Sequence, residues 1–547
     1  MSISRAMASW LPQSLSNRRY HAVPTDSNPD FSLNDKSTPG CQVVPRRWLR
    51  LSTKGVLLVI CAILALPGFL LVVASKGYRY FSGHLAAVPQ PEAGERRFIV
   101  VLPANAPNTD LCKITSTAVA LGYPAPIIVN WGRDYNGKGW HGGSHLDKIV
   151  GNFDFLHWIS SDGASEAERL GDNDVMVLVD SYDTWFQLPP NVLLQRYHEA
   201  NRQANDRLAR QWHGPGEMPM QQTIIVSTQK RCFPPPSSGS ILHCDSLPES
   251  PLRKDLYGPT TDDDPEVFHN NRPRYLNSGS IIGQIGDLRR YFGRVKERMK
   301  KGQAKGTHLY SDQGIFAEIF AEQEIWRQHL RDQPLLDDEA MKMFQEQYEY
   351  HVGLDYSQQL FIPTVFEEQD GDIITLNNKT EILERSTALG ISPVRLDGVP
   401  DDLNNTTNPL QKTGATNLDW GEMPLYSDFF TTAIPAVIHH NAHKDGLKAR
   451  RTKWWDRTWY FPHLRELITA HLEPGENEPL STISVQKGNI VYRAPETFKT
   501  RKNPRLFKGE KGLEEADFKA ICESPKQSEG GETMWYDEVF RDGKGPL

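Results

Sequence analysis

The sequence predicts an α/β domain organised on a doubly wound sheet with flanking helices. Three observations carry that expectation. Val175-Met176-Val177-Leu178-Val179 is an unbroken apolar run, rich in β-branched residues and too short for a helix, which reads as a strand buried on both faces. Two similar runs precede it, Phe98 to Leu102 and Ile127 to Val129, with helical periodicity between them. Strand, helix, strand, helix, strand is the signature of a wound sheet, whose crossovers bring the loops after each strand to one edge. The third observation is that the central run ends in two carboxylates, Asp180 and Asp183. Ligands of open α/β sheets gather beyond the carboxyl ends of the strands. Hard oxygen donors delivered there suit Mg²⁺ or Mn²⁺, ions that commonly hold diphosphates.

The chain has 547 residues, enough for more than one domain and an ample core. Its net charge of −7 makes no case for nucleic-acid binding. Residues 1–54, rich in Ser, Pro, Asn and Arg, read as a disordered cytosolic tail. Gly55 to Ser75 is twenty-one residues without a charge, long enough to cross about 30 Å of hydrocarbon as one transmembrane helix. Arg46, Arg47, Arg50 and Lys54 precede it, against Lys76 and Arg79 after it. That bias places the N-terminus in the cytosol and the bulk of the chain in a lumen or outside the cell. Residues 76–95 read as a stem.

From Phe98 the elements follow in order. A helix is expected over Cys112 to Leu121, then a Gly-rich loop from Gly137 to Gly143, and a helix over Leu146 to Phe155. Thr223 to Ser227 reads as a strand. Arg274 to Gly283 combines a turn at Asn277-Ser278-Gly279 with a short apolar strand. Leu288, Tyr291, Phe292, Val295 and Met299 form the stripe of an amphipathic helix, with Asp287 as its expected cap. Another helix starts near Ser311-Asp312-Gln313. The stretch 381–430 lacks periodicity and reads as an insertion. Val437-Ile438 is a short strand feeding His439-His440-Asn441. From residue 461 the chain reads as a polar C-terminal extension of unassigned role.

Four cysteines lie beyond the apolar segment: Cys112, Cys232, Cys244 and Cys522. They permit two disulfides in an oxidising lumen, and Cys232–Cys244 would close a short Pro-rich loop; buried free thiols are the alternative. Asn378-Lys379-Thr380 and Asn404-Asn405-Thr406-Thr407 hold N-glycosylation acceptor patterns.

Seven short motifs then stand in series: Trp140-His141-Gly142-Gly143 with Lys148; Val179-Asp180-Ser181-Tyr182-Asp183; Cys232-Phe233-Pro234; Tyr275-Leu276-Asn277-Ser278-Gly279; Ser311-Asp312-Gln313; Leu354-Asp355-Tyr356; and His439 with Asn441. In that order the stretch 96–445 resembles the glycosyltransferase domain of the procollagen lysyl hydroxylase and collagen galactosyltransferase group. The resemblance implies a GT-A-like, doubly wound mixed sheet, a UDP-sugar donor and Mn²⁺. It implies Asp180, Asp183 and His439 as metal ligands, with His440 the rival one position away. Two details depart from the family: Ser311 stands where a further acidic residue is common, and His440-Asn441-Ala442 stands where Gly-Asn-Gly is usual.

On this reading residues 96–460 form a transferase domain. Trp140, Gly142, Gly143 and Lys148 face the diphosphate, because glycine lets the backbone approach a phosphate closely. Asn277, Ser278 and Gly279 line the sugar or the acceptor. Asp312, at a helix N-terminus that favours its ionised form, is the catalytic carboxylate on the acceptor side. The basic-aromatic run from Lys444 to Trp459 is a candidate outer clamp. The expected protein is a single-pass type II enzyme of the Golgi or endoplasmic reticulum membrane. It moves a hexose from a UDP-sugar to a glycan or glycoprotein acceptor. An inactive binding protein of the same fold and a metal-dependent nucleotide-sugar hydrolase are the competing readings.

Overall fold

A computed structural model describes residues 91–134, 143–214, 216–333, 337–442, 450–472, 478–496, 503–528 and 532–547. The expected tail, apolar helix and most of the stem lie outside the described residues, as do Trp140 and Gly142 of the Gly-rich loop. Among the described residues no helix is long and apolar enough to cross a membrane.

The strands of the first half are β1 (Gly94–Pro103), β2 (Ile127–Val129), β3 (Val175–Val179), β4 (Thr184–Phe186), β5 (Ile224–Gln229), β6 (Tyr275–Gln284) and β7 (Val352–Leu354). The main helices are α1 (Thr109–Ala120), α2 (Gly143–Ile159), α3 (Pro190–Gln211), α4 (Ile285–Ala304) and α5 (Asp312–Asp332). The second half adds β8 (Phe361–Pro363), β9 (Gly371–Thr375), β10 (Pro424–Asp428), β11 (Val437–His439), β12 (Ser481–Val485), β13 (Gly488–Arg493), β14 (Arg505–Phe507) and β15 (Leu513–Glu515).

The main sheet runs β15-β14-β2-β1-β3-β6-β5-β7 and is mixed. β2, β1 and β3 are parallel, as are β5 and β7. β6 runs antiparallel to both of its neighbours, β3 and β5. The apolar runs explain the layering. Val175, Val177 and Val179 enter one core with Phe98, Val100 and Leu102, where α1 and α3 pack. Met176 and Leu178 enter the other with Ile99 and Val101, where α2, α4 and α5 pack. Every residue of β3 is buried. Each such side chain contributes at most about 1.5–3 kcal/mol on leaving water, which rewards an unbroken apolar run at this one place in the sheet.

Three expectations change. Asn277-Ser278-Gly279 is no turn: it lies inside the ten-residue strand β6, where pairing with β3 and β5 on either side satisfies its backbone better than a turn would. A register shift opposite Val226 and Ser227 absorbs the irregularity. Asp287 does not cap α4; Gln284 holds that position, and Asp287 instead takes the hydroxyl of Thr223 and faces His351. Residues 461–547 are not an appendage. β13 pairs in parallel with the start of β1, and β14 with β2. A disulfide joins Cys522 to Cys112 in α1, and a second joins Cys232 to Cys244. Trp535 and Val539 are core residues. The extension reads as polar because β12, β13 and β15 are only partly buried, and β14, buried throughout, is three residues long and begins with Arg505.

Two small sheets complete the fold. β9 pairs with β10; β10 lies inside the stretch expected to be an insertion and β9 just before it. β11 lies between β4 and β8, antiparallel to the first and parallel to the second.

Candidate functional site

The register of β11 builds the site. His439 sits opposite Thr184, the residue after Asp183, and the Asp183 carbonyl accepts the backbone N–H of His440 at 2.6 Å. A strand turns successive side chains to opposite faces, so His439 and His440 cannot share a role. His439 turns towards the end of β3. Its Nε2 stands 3.2 Å from Asp183 Oδ1 and 3.7 Å from Asp180 Oδ2. His440 turns into an aromatic wall, with its ring 4.1 Å from that of Trp185 and 6.0 Å from that of Trp454. Burial lowers the His440 pKa to about 3, so it stays a neutral core residue.

The motif Leu354-Asp355-Tyr356 supports this placement from a distance. Asp355 Oδ2 accepts the backbone N–H groups of Leu360 at 2.8 Å and Phe361 at 2.9 Å. That turn launches β8, and β8 pairs with β11. Asn441 fixes the far end by accepting the Val365 N–H at 3.0 Å.

Gly279 makes room for the imidazole. A Cβ at that position would meet His439 Nδ1 at 2.2 Å and Cε1 at 2.3 Å. The glycine expected to bring backbone near a sugar therefore serves a close approach of another kind. Asn277 is turned inwards, donating to Gln229 Oε1 at 2.8 Å and accepting the Gly279 N–H at 3.0 Å. These two residues shape β6 beneath the site. Gly143 opens α2 with a φ of 61°.

Lys148 lies at the centre of the second layer. Its ammonium donates to Asp180 Oδ1 at 2.7 Å and to the Ser278 carbonyl at 2.8 Å, and stands 3.1 Å from Asp312 Oδ2. Burial opposes its charge, but Asp180 and Asp312 outweigh burial and raise its pKa, so it is a fixed cation. Asp312 follows the Ser311 cap of α5. It accepts the Ser278 hydroxyl at 2.9 Å. Burial pushes its carboxyl up, yet Lys148 and then His145 hold the net pKa below the usual carboxylate range.

Two further participants are His145, which no motif included, and Gln313, which stood in the Ser311-Asp312-Gln313 motif without a role. His145 points Nδ1 at Asp312 Oδ1 across 3.7 Å and is 72% exposed. Gln313 accepts the Ser278 N–H at 3.4 Å and donates to the Phe233 carbonyl at 2.7 Å. The spacing of His145 and Lys148, three positions apart on α2, puts them on one helix face and was the available signal. The basic-aromatic run divides. Lys444 lies outside the described residues, while Trp454, Trp455 and Trp459 are core. Arg451 donates to the Tyr182 carbonyl at 3.2 Å and pairs with Asp110 at 3.0 Å, so it braces the loop between the two aspartates.

The donor set suits a divalent metal ion. Asp180, Asp183 and His439 each offer one ligand atom, all within 4.8 Å of one another. Two carboxylates and an imidazole are the hard-to-borderline mixture such ions take. Burial lowers the His439 pKa, but Asp183 and Asp180 outweigh it and raise the net value, a sign that positive charge is favoured at this point. The aspartates remain 32% and 19% exposed, leaving a side open to a ligand. Among the described residues Nδ1 of His439 finds no hydrogen-bond acceptor, whereas ligating histidines usually have one.

A second acidic group, Glu367, Asp370 and Asp428, is wholly buried. The Lys230 ammonium lies against Asp370, and the Tyr257 hydroxyl donates to the same oxygen at 3.1 Å. Burial, then the nearby Asp370, pushes the Asp428 carboxyl up to about 7. Burial raises the Glu367 and Asp370 carboxyls as well, so the Lys230 ammonium and bound protons offset the charge of this group without a metal ion. Cavities of about 470 and 790 Å³ lie elsewhere, and neither is lined by Asp180, Asp183 or His439.

Comparison of the chain with models of known protein families and with curated proteins returned no match.

Proposed function

We propose that the chain is a Mn²⁺-dependent glycosyltransferase that moves a hexose from a UDP-sugar to a glycan or glycoprotein acceptor. One observation carries the reading: two aspartates at the tip of β3 and an imidazole from a strand far along the chain meet at the ligand edge of a wound sheet. The mixed sheet, with one antiparallel strand at its middle, agrees with the GT-A-like architecture that the motif series implies. Asp180, Asp183 and His439 are the residues assigned to hold the ion. A bound ion there supplies Lewis-acid stabilisation to a departing diphosphate.

The remaining roles belong to the chain itself. Lys148 neutralises Asp180 from behind and fixes which of its oxygens faces outward. Asp312 is ionised and held by two donors, so its role is to hold Lys148 and to face His145, the exposed titratable side chain at that rim. Ser278 ties Asp312 to β6. Placement in the Golgi or endoplasmic reticulum membrane, with the domain lumenal, is part of the same proposal. The two disulfides support an oxidising compartment.

The test is a UDP-sugar panel on the purified full chain with and without Mn²⁺. The expected result is turnover that needs Mn²⁺ and disappears in Asp183→Ala. Metal-independent turnover, or a fully active Asp183→Ala, refutes the reading; UDP binding without transfer or hydrolysis across the panel favours a binding protein.

A further inference from the structure

A cavity of about 790 Å³ opens beside the edge strand β7, a size within the range of small-molecule sites. Its wall takes Arg207 and Arg210 from α3, and Arg327 and Arg331 from α5. Each pair is spaced to share one helix face. Arg327 is committed: it pairs with Glu349 and, at 2.9 Å, with Glu324. Among the described residues the other three form no ion pair, although Glu324, which is bonded to Arg327, also lines the cavity and acts on Arg331 from a distance. Arg331 meets only side-chain amide oxygens, of Gln328 at 3.2 Å and Gln211 at 3.3 Å. Gln211 is one turn beyond Arg207 on α3, so Arg331 reaches across to the helix that carries the other two. Among the described residues neither Arg207 nor Arg210 makes a hydrogen bond or an ion pair. Glu249 lines the rim but is exposed and bonded to none of them.

Burial depresses the pKa of both Arg207 and Arg331; Tyr356 offsets part of this at Arg207, and Glu324, Asp332 and Glu349 offset part of it at Arg331, while the like charges of Arg210 and Arg327 add to it. Half-buried guanidinium groups without a bonded counter-ion are costly in the free protein. Their planar forks match oxyanions bidentately, and three of them around one cavity offer more donors than a two-oxygen carboxylate accepts, which favours a tetrahedral oxyanion. We propose that this cavity is a binding site for a phosphate or sulfate ester, held by Arg207, Arg210 and Arg331. The site is separate from Asp180, Asp183 and His439, and stands whether or not the chain transfers sugars.

Calorimetric titration of the full chain with inorganic phosphate and, separately, with sulfate, at constant ionic strength in chloride, tests it. Saturable binding of at least one anion is expected. It should weaken about tenfold or more in Arg207→Gln and in Arg331→Gln, each of which removes a charge-assisted bond. Arg210 is exposed, so Arg210→Gln leaves the fold intact and keeps the test valid if the buried variants misfold. Binding of phosphate alone assigns a phosphate ester, binding of sulfate alone a sulfate ester, and binding of both admits either; all three support the site. No saturable binding of either anion, or wild-type affinity in every folded variant, overturns it.

Discussion

Replacing Gly279 by alanine probes the candidate metal site without touching a ligand. The added methyl would stand 2.2 Å from His439 Nδ1, 2.3 Å from its Cε1 and 3.0 Å from Asn277 Oδ1. Non-bonded carbon atoms rest at about 3.5–4.0 Å, so the imidazole must retreat by more than about 1 Å. It cannot take the backbone with it, because β11 is paired on both sides and the His439 carbonyl accepts the Thr364 N–H at 2.9 Å. Overpacking of this kind costs about 1–3 kcal/mol. The ring leaves its 3.2 Å contact with Asp183, and metal affinity should fall at least the ~10–100-fold seen when a supporting group is lost. Mn²⁺ titration and metal-free thermal melts of both proteins measure the two effects. Gly293→Ala is the control: its nearest neighbour, a ring carbon of Phe153, is 3.4 Å away, and alanine in a helix interior is worth up to about 1 kcal/mol. If Gly279→Ala binds Mn²⁺ and melts as the wild type does, the placement of His439 against β6 is wrong.

Other consequences are equally open to measurement. Lys148→Met strands the buried carboxylate of Asp312 and removes the partner of partly exposed Asp180, and should cost roughly 3–5 kcal/mol in denaturant unfolding; adding Asp312→Asn should recover part of it, and an unchanged midpoint for the single variant would contradict the network. The Asp428 carboxyl titrates at about 7 in the folded chain, against about 3.9 unfolded. Its folded pKa is raised, so its contribution to stability is fully present below about pH 4 and is lost as pH climbs through about 7. Asp428→Asn should flatten that stretch of the stability–pH curve, and an identical slope in both proteins rejects the assignment. Cys522→Ser opens the bond to Cys112 that spans 410 residues and should lower stability by about 2–5 kcal/mol under non-reducing conditions.

Much of the central scaffold was legible in the chain because its signals are carried by near neighbours. Val175 to Val179 announces burial on both faces through composition alone, and the stripe from Leu288 to Met299 announces one buried helix face through its period. All five stripe residues are buried in α4. The aspartates at the tip of β3 were visible for the same reason: position relative to a strand end is a local property. The polar residues 461–547 gave no such local signal, although their strands and helices complete the sheet and the core.

What joins those aspartates is a different matter. His439 and His440 are chemically alike and adjacent, and only the pairing of β11 with β4 and β8 decides which one faces Asp183 and which one packs on Trp185. The union of Lys148 with Asp312, and the need for a residue without a side chain at 279, likewise exist only once distant segments have been brought into register. Composition and periodicity report how much surface a segment buries; which group it meets is a free-energy contest among long-range pairings, settled when the whole sheet assembles.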